Sequence, residues 1–309
     1  MTFKKFQDPY TTADGEPRAS VALSNPETLW FNTGTLCNIE CVNCYIESSP
    51  SNDRLVYITA SEVEDYLDQL DDRDWGVSEI AFTGGEPFMN IEIIDILRAS
   101  LARGYNVLVL TNAMRPMMRK RIQAGLLELN VAYPGKLTLR ISVDHWSAAL
   151  HDKERGADAF ASTVVGMCWL RDNDFTMSVA GRTVWGESEH DARTGYAAFY
   201  AEHQFDIDAH NPGTTVLFPE MDVSVDVPEI TTACWDILDK SPSSVMCSNS
   251  RMVVKRKGAK KPAVLACTLL PYSPEFELGA TLAEAEVSVQ LNHPHCAKFC
   301  VLGGASCSA

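Results

Sequence analysis

The chain has 309 residues, a formal net charge of −15 and hydrophobic residues at 46% of its positions. This length accommodates one large α/β domain and a smaller one, each with a buried core, and the acidic balance disfavours nucleic acid as a partner. The polar segment 1–20 does not have the pattern of a signal peptide, and no apolar run is long enough for a membrane span. We therefore expect a cytoplasmic protein, and its content of ten cysteines indicates metal or cluster ligation rather than disulfides.

Strand-like and helix-like segments alternate over the first two thirds of the chain. The predicted strands are Thr28–Thr33, Glu79–Phe82, Asn106–Leu110, Leu137–Val143, Phe175–Val184 and Thr214–Phe218. The predicted helices are Ser61–Asp72, Ile91–Arg103, Met114–Leu129, Phe160–Asp172 and Asp191–His203. Ser61 and Glu64 have the spacing of an N-terminal capping box. Repeated β-α units predict an open, partial (β/α)6 parallel barrel with its functional loops at the carboxyl ends of the strands.

Three closely spaced cysteines follow the first predicted strand. Cys37, Cys41 and Cys44 have the spacing C-x3-C-x2-C. Three thiolates on one loop can hold three irons of a [4Fe–4S] cluster, which leaves the fourth iron open to a small molecule. A zinc loop is the alternative, but zinc usually requires C-x2-C pairs and a further cysteine or histidine nearby. No histidine lies between residues 36 and 45.

A glycine-rich motif, Gly84-Gly85-Glu86-Pro87, follows the second predicted strand. The two glycines allow the backbone to approach a ligand closely or to adopt positive φ. Glu86 presents a carboxylate, and Pro87 stiffens the exit of the loop. An ordinary β-turn is the alternative, but the position one β-α-β unit after the cysteines favours a binding loop.

Together, the cysteine motif and the Gly84–Pro87 motif resemble those of the radical S-adenosylmethionine (SAM) superfamily. In that family the open iron is chelated by the amino and carboxylate groups of SAM, and the resemblance implies that Gly84, Gly85, Glu86 and Pro87 contact SAM. It also implies reductive cleavage of SAM to methionine and a 5′-deoxyadenosyl radical, which abstracts a hydrogen atom from the substrate. This chain has Asn43 where the family often has an aromatic or bulky apolar residue, and Tyr45 follows the third cysteine.

A third stretch of residues resembles one branch of the family. Its motif residues are Ser142, Asp144, His151, Asp152, Arg155, Gly156 and Phe160. They resemble the S-x-D, H-D, R-G and F pattern of radical SAM enzymes that carry an auxiliary-cluster domain called SPASM or twitch. The resemblance implies that Ser142 and Asp144 face the SAM and substrate pocket and that Arg182 is placed for the SAM carboxylate. A surface ion pair of Arg155 with Asp152 or Glu154 is the alternative.

The pattern changes after Pro219, where we predict a domain boundary between 1–219 and 220–309. The acidic segment 220–228 is typical of a linker, and a short helix is predicted near Thr232–Leu238. Arg251–Lys255 and Ala263–Ala266 predict a hairpin, and a hairpin brings its two ends together. The C-terminal part is therefore expected to be a small, cysteine-rich α+β domain.

Five cysteines lie within 61 residues of this C-terminal part: Cys247, Cys267, Cys296, Cys300 and Cys307. Four of them suit a second [4Fe–4S] cluster, and the arrangement resembles a twitch or shortened SPASM domain rather than the full pattern of seven cysteines. Structural zinc is the alternative, with His293 and His295 as candidate ligands. Cys168 and Cys234 are interpreted as structural residues.

Basic residues are concentrated between Arg251 and Lys261. They predict either a solvated turn or a docking patch for an anionic partner, which is either an electron donor such as flavodoxin or ferredoxin or an acidic peptide or nucleotide substrate. The substrate is left open among peptides and small metabolites. Two alternatives come from other classes, an electron-transfer iron–sulfur protein without SAM chemistry and a zinc-binding protein.

Overall fold

A computed structural model describes residues 4–73, 75–219, 222 and 224–303, so Cys307 lies outside the described residues. The strands are β1 (Ser20–Val21), β2 (Thr28–Asn32), β3 (Glu79–Thr83), β4 (Asn106–Thr111), β5 (Leu137–Ser142), β6 (Thr176–Arg182), β7 (Thr215–Phe218), β8 (Ser250–Val254), β9 (Ala263–Leu265), β10 (Glu277–Gly279) and β11 (Val289–Gln290). The α-helices are α1 (Ala60–Asp71), α2 (Ile93–Ala102), α3 (Lys120–Ala132), α4 (Ala148–Arg155), α5 (Ala159–Asp172), α6 (Glu189–His203) and α7 (Cys234–Ile237). A π-helical segment, Cys296–Leu302, ends the described chain.

One nine-stranded sheet organises the fold, in the order β10-β9-β8-β2-β3-β4-β5-β6-β7. Strands β2 to β7 are parallel and lie in chain order. Strand β8 pairs in parallel with β2, while β9 and β10 are antiparallel. The α/β class with a mostly parallel sheet is therefore confirmed, and β1 and β11 form a separate pair.

Each predicted strand of the first two thirds is confirmed to within two residues, but the predicted capping residue of α1 and the predicted start of α3 were wrong. Helix α1 is capped by Thr59, which accepts a hydrogen bond from the Glu62 amide and donates its own amide to the Glu62 carboxylate. The predicted Ser61–Glu64 box has the same spacing two residues later, and spacing alone does not distinguish them. Helix α3 begins at Lys120 rather than Met114, because Pro116 disfavours the helical conformation of the residue before it. Helix α4 was not predicted.

The strand register places apolar residues on both faces of the sheet. One row of paired residues runs Leu265, Met252, Trp30, Ala81 and Leu108, and it packs with C-terminal residues in one apolar core. The adjacent row, Val264, Val253, Phe31, Phe82 and Val109, packs with the helices in a second core. Since alternate residues of a strand face opposite sides, the helices cover one face and the C-terminal segment covers the other.

The C-terminal hairpin of β8 and β9 is confirmed as an antiparallel pair. Two of its contacts were not predicted, the third strand β10 and the pairing of β8 with β2. The C-terminal strands thus belong to the same sheet as the strands of 1–219, and the predicted domain boundary stays a prediction. Within the described ranges, no helix combines the length and the apolarity needed to cross a bilayer.

Candidate active site

A cavity lies at the carboxyl edge of the parallel strands. It encloses about 1050 Å³, including its mouth open to solvent. The last residues of five neighbouring strands line it: Thr83, Thr111, Ser142, Arg182 and Phe218. Residues from the three sequence motifs also line it: Cys37, Cys41, Cys44, Gly84, Gly85, Asp144 and Arg155. The structure therefore brings the three predicted motifs together, as expected where parallel strands end at one edge.

The two glycines of the second motif pack against the backbone that leads into the cysteines. The Gly85 amide donates to the Gly34 carbonyl at 2.8 Å. A Cβ added to Gly84, whose φ is +145°, would lie 2.5 Å from the Gly34 oxygen, and one added to Gly85 would lie 2.2 Å from the Leu36 oxygen. No side chain larger than hydrogen fits there, so the glycines are required for the contact between the two loops.

The Glu86 side chain is buried rather than presented to the cavity, because it is 1% exposed and is not among the described lining residues. Its carboxylate accepts hydrogen bonds from the Phe88 amide at 3.1 Å, the Thr111 hydroxyl at 2.9 Å and the Asn112 amide at 2.9 Å. Burial raises the pKa of Glu86 to about 7, and these hydrogen bonds act in the opposite direction. The contacts favour a positioning role, and a direct contact with SAM stays a prediction, as it does for the buried Pro87.

A largely buried ion pair also lines the cavity. The Arg155 guanidinium donates to both carboxylate oxygens of Asp144, at 2.6 and 3.1 Å. Burial raises the pKa of Asp144, but Arg155 outweighs it and the net pKa is lowered. Neither of the surface partners considered for Arg155 is the one observed. Asp152 instead accepts the backbone amides of Asp158 and Phe160 at the start of α5.

Glu154, at the end of α4, holds the loop that carries the cysteines. Its carboxylate accepts the Asn43 backbone amide and the Asn43 side-chain amide, both at 2.9 Å, and its carbonyl accepts the Val42 amide at 2.9 Å. Arg182 donates to the same carboxylate at 2.9 Å and to the Asn43 carbonyl at 3.0 Å. Asn43 therefore has a structural partner in this chain. Arg182 lines the cavity from within this network, and its contact with a SAM carboxylate stays a prediction.

Burial disfavours the thiolate forms of two residues in the cysteine loop. It raises the pKa of Cys37 to about 12 and that of Cys41 to about 11, although the Arg155 charge lowers the latter. A coordinating metal deprotonates such thiols outright. Asn112, which sequence reasoning missed, donates to Asn38 at 3.0 Å and lies 3.9 Å from the Cys37 sulfur. Its position directly after β4 is the signal that could have identified it.

A second, smaller cavity lies in the C-terminal part. Four of the five predicted cysteines line it: Cys247, Cys267, Cys296 and Cys300. They come from three separate segments, and burial raises the pKa of Cys247 to about 11 and that of Cys296 well above its ordinary value. His295 lines the cavity too, and burial lowers its pKa to about 4. Leu269 lines both this C-terminal cavity and the first one.

The spacing of these thiols bears on which metal suits them. In the part of the chain that the structure describes, no three His, Cys, Asp or Glu side chains converge as the ligands of one metal ion do. A structural zinc ion requires four ligands at a single point, whereas a cubane cluster places each thiolate on its own iron. Ligands of a cubane do not have to converge on one point, so the spacing of both sets of cysteines is compatible with a cluster.

Much of the basic run in the hairpin is paired with acidic residues. Lys255 pairs with Glu62, Arg256 with Glu277 and Lys257 with Asp53. Arg251 is buried and does not reach the surface. The expected solvated turn or docking patch is thus reduced to the exposed lysines at the tip, Lys260 and Lys261. Cys168 and Cys234 pack against the apolar cores, as interpreted from the sequence.

The family model of the radical SAM superfamily matches residues 31–193, which contain the cysteine motif and the glycine motif. The chain belongs to the radical SAM superfamily, whose members bind a [4Fe–4S] cluster and SAM.

Two curated relatives match part of the chain. It is 33% identical over 154 residues to the antilisterial bacteriocin subtilosin biosynthesis protein AlbA of Bacillus subtilis. The matched region covers 48% of this chain and 32% of AlbA. It is 26% identical over 163 residues to the AdoMet-dependent heme synthase of Methanosarcina barkeri, 52% of this chain and 43% of that protein. The chain thus spans less than half the length of these relatives.

Two solved structures have a similar fold. Streptococcus suis SuiB bound to SAM superposes with a TM-score of 0.60 at 14% identity, over 83% of this chain and 64% of SuiB. Native anSMEcpe with bound AdoMet superposes with a TM-score of 0.58 at 16% identity, over 84% of this chain and 80% of that chain. At these identities the similarity establishes the fold alone.

Proposed function

We propose that this chain is a radical SAM enzyme that cleaves SAM and abstracts a hydrogen atom from a peptide. The observation that carries the proposal is the convergence of the cysteine loop, the glycine loop and the Asp144–Arg155 pair on one cavity. The bound cluster and SAM would supply one-electron cleavage of SAM and a carbon radical. The alternative of an electron-transfer protein has no use for such a cavity beside its cluster.

The residues present fit the cluster and SAM. Cys37, Cys41 and Cys44 line the cavity, and no other cysteine or histidine is among its described lining residues. One iron would therefore keep a free position for SAM. The Ser48 hydroxyl is buried at the cavity wall without a hydrogen-bond partner among the described residues, which suits a polar ligand.

A peptide is the substrate class we propose. The AlbA relative acts in the biosynthesis of a bacteriocin, and structures with this fold include SuiB bound to the precursor peptide SuiA and anSMEcpe bound to the Cp18Cys peptide. Transfer of deuterium from a deuterated peptide encoded beside this gene into 5′-deoxyadenosine would support the class. Transfer only from small metabolites would refute it.

We further propose that β2 to β7 form a partial (β/α)6 barrel and that residues 220–309 form an auxiliary cluster domain. Cys247, Cys267, Cys296 and Cys300 would hold the second [4Fe–4S] cluster, which is supported by their shared cavity. Zinc bound by these cysteines and His295 is the competing hypothesis, and metal analysis of the purified protein separates the two. A flavodoxin or ferredoxin is proposed as the electron donor.

The activity is tested by 5′-deoxyadenosine formation after anaerobic reconstitution and reduction with dithionite. We expect formation in the wild type and none in the variant in which Cys37, Cys41 and Cys44 are all replaced by Ala. Cys168→Ala, which removes a thiol packed in the helix-covered core, is the matched control and should keep full formation. Undiminished formation in the triple variant contradicts the proposal.

A further inference from the structure

Arg251 is a fully buried cation in the wall of the C-terminal part, with 1% of its surface exposed. It lies in β8, and its guanidinium donates to four backbone carbonyls. These are Cys247 at 2.7 Å, Ser250 at 2.8 Å, Ala285 at 3.0 Å and Val287 at 3.0 Å. The side chain is therefore fixed by the backbone around the first cysteine of the cavity.

The charge of Arg251 has no carboxylate partner, since no acidic group of the described residues lies within ion-pair distance. Two other arginines with largely buried side chains each have a carboxylate partner, since Arg18 pairs with Glu229 at 2.5 Å and Arg155 pairs with Asp144 at 2.6 Å. The sequence from Lys240 to Pro274 contains neither Asp nor Glu, although the chain as a whole carries a net charge of −15. An uncompensated buried ion costs several kcal/mol, so an anion is expected close to it.

The groups near Arg251 that can become anionic are thiols. The Arg251 guanidinium donates to the carbonyl of Cys247 at 2.7 Å, and Cys267 follows β9, the strand that pairs with β8. Both thiols line the cavity together with Cys296 and Cys300. Four thiolates around a cubane core leave the whole centre with net negative charge.

We propose that Arg251 is the counter-ion of an anionic, four-thiolate metal centre in the C-terminal cavity and raises its reduction potential. The inference rests on the second cluster of the proposed function. A fixed positive charge in a medium of low dielectric constant favours the more negatively charged, reduced state of a nearby centre. Arg251 is thus a positioning and tuning residue, and not a ligand.

The test compares two replacements in the reconstituted full-length protein. Arg251→Gln removes the charge but keeps amide donors for the carbonyls, and Arg251→Lys keeps the charge but loses most of the donors. The midpoint potential is measured by redox titration with electron paramagnetic resonance, on the signal that SAM does not change. Lys260→Gln, which removes a charge at the exposed tip of the same hairpin, is the matched control.

We expect Arg251→Gln to lower the potential by about 59 mV or more, a tenfold change in a one-electron equilibrium. Arg251→Lys and Lys260→Gln should stay close to the wild type. A wild-type potential in Arg251→Gln overturns the proposal. Loss of the folded structure in Arg251→Lys but not in Arg251→Gln also overturns it, and so does loss in both variants. In either case only the contacts with the backbone carbonyls would matter. Loss of the folded structure in Arg251→Gln alone supports the proposal, because only this variant lacks the positive charge.

The iron content of the wild type separates this inference from the function on which it rests. About eight irons per chain correspond to two cubanes. About four irons, or zinc in the C-terminal cavity, would refute the second cluster whatever the Arg251 variants do.

Discussion

The cysteine loop and the C-terminal cavity both bury thiols, but they differ in chain connectivity and in charge. The three cysteines of the loop lie within eight residues, and the nearby cation, Arg155, is already paired with Asp144. The four cysteines of the C-terminal cavity come from three segments, and one of these cysteines, Cys247, contacts Arg251, which has no acidic partner among the described residues. The positive charge at the first site is balanced without a cluster, whereas the positive charge at the second site is balanced only when a metal centre is bound. We therefore expect the C-terminal part to depend more on metal for its stability.

The largest expected effect follows replacement of Cys247, Cys267, Cys296 and Cys300 by Ser. This variant should lose about four irons and become clearly less stable to urea, because Arg251 would keep no anionic neighbour. The variant lacking the three loop cysteines should also lose about four irons but remain nearly as stable as the wild type. Iron analysis and urea unfolding measure both effects, and Cys234→Ser is the control. Equal loss of stability in the two variants would contradict the comparison.

The next effect concerns the ion pair at the first site. Asp144→Ala should reduce the free energy of unfolding by about 3–5 kcal/mol, since it leaves Arg155 buried and uncompensated. The pair of the exposed Glu189 with the partly buried Arg193 gives the control, because Glu189→Ala should cost only about 0.5 kcal/mol. Urea unfolding of the metal-free protein tests this, and a change below 1 kcal/mol for Asp144→Ala would show that the site is not balanced in this way.

A smaller effect is expected from the contact between α4 and the cysteine loop. Glu154→Gln removes a charged acceptor for Asn43 and Arg182, and such hydrogen bonds contribute about 1.5–3 kcal/mol. Iron of the loop should therefore pass to a chelator about tenfold faster or more, while the C-terminal iron is retained as in the wild type. The adjacent exposed residue offers the control, Lys153→Gln. Unchanged release from the loop would assign Glu154 no role in holding it.

The smallest effect is a pH dependence confined to the first site. Because the folded pKa of Glu86 is raised to about 7, the folded chain holds a proton that the unfolded chain has released above its ordinary pKa. The stability that Glu86 contributes is thus full at low pH and is lost as pH rises towards 7. Relative to Glu86→Gln, the wild type should lose about 1 kcal/mol per pH unit between pH 5 and 6. Urea unfolding curves at several pH values measure this dependence, and Glu128→Gln is a control at an exposed carboxylate. The same pH dependence of stability in the wild type and in Glu86→Gln would contradict the prediction.

The predictable parts of the molecule were those encoded in neighbouring residues. The β-α alternation and the carboxyl-edge position of the motifs follow from local patterns, and the parallel sheet and the shared cavity confirm them. The partners of Glu86, Glu154 and Arg155 could not be predicted, since each lies in a different element and spacing along the chain does not encode it. The pairing of β8 with β2 joins residues more than 200 positions apart and leaves no local signal.

That same pairing has a consequence for how the chain is made. Strand β2 emerges early from the ribosome, but the strand that covers its outer edge follows only at Ser250. At ordinary rates of synthesis, β2 is exposed for on the order of ten to forty seconds. An uncovered strand edge is a template for pairing with other chains, so slow or interrupted synthesis of the C-terminal strands favours aggregation of the nascent protein.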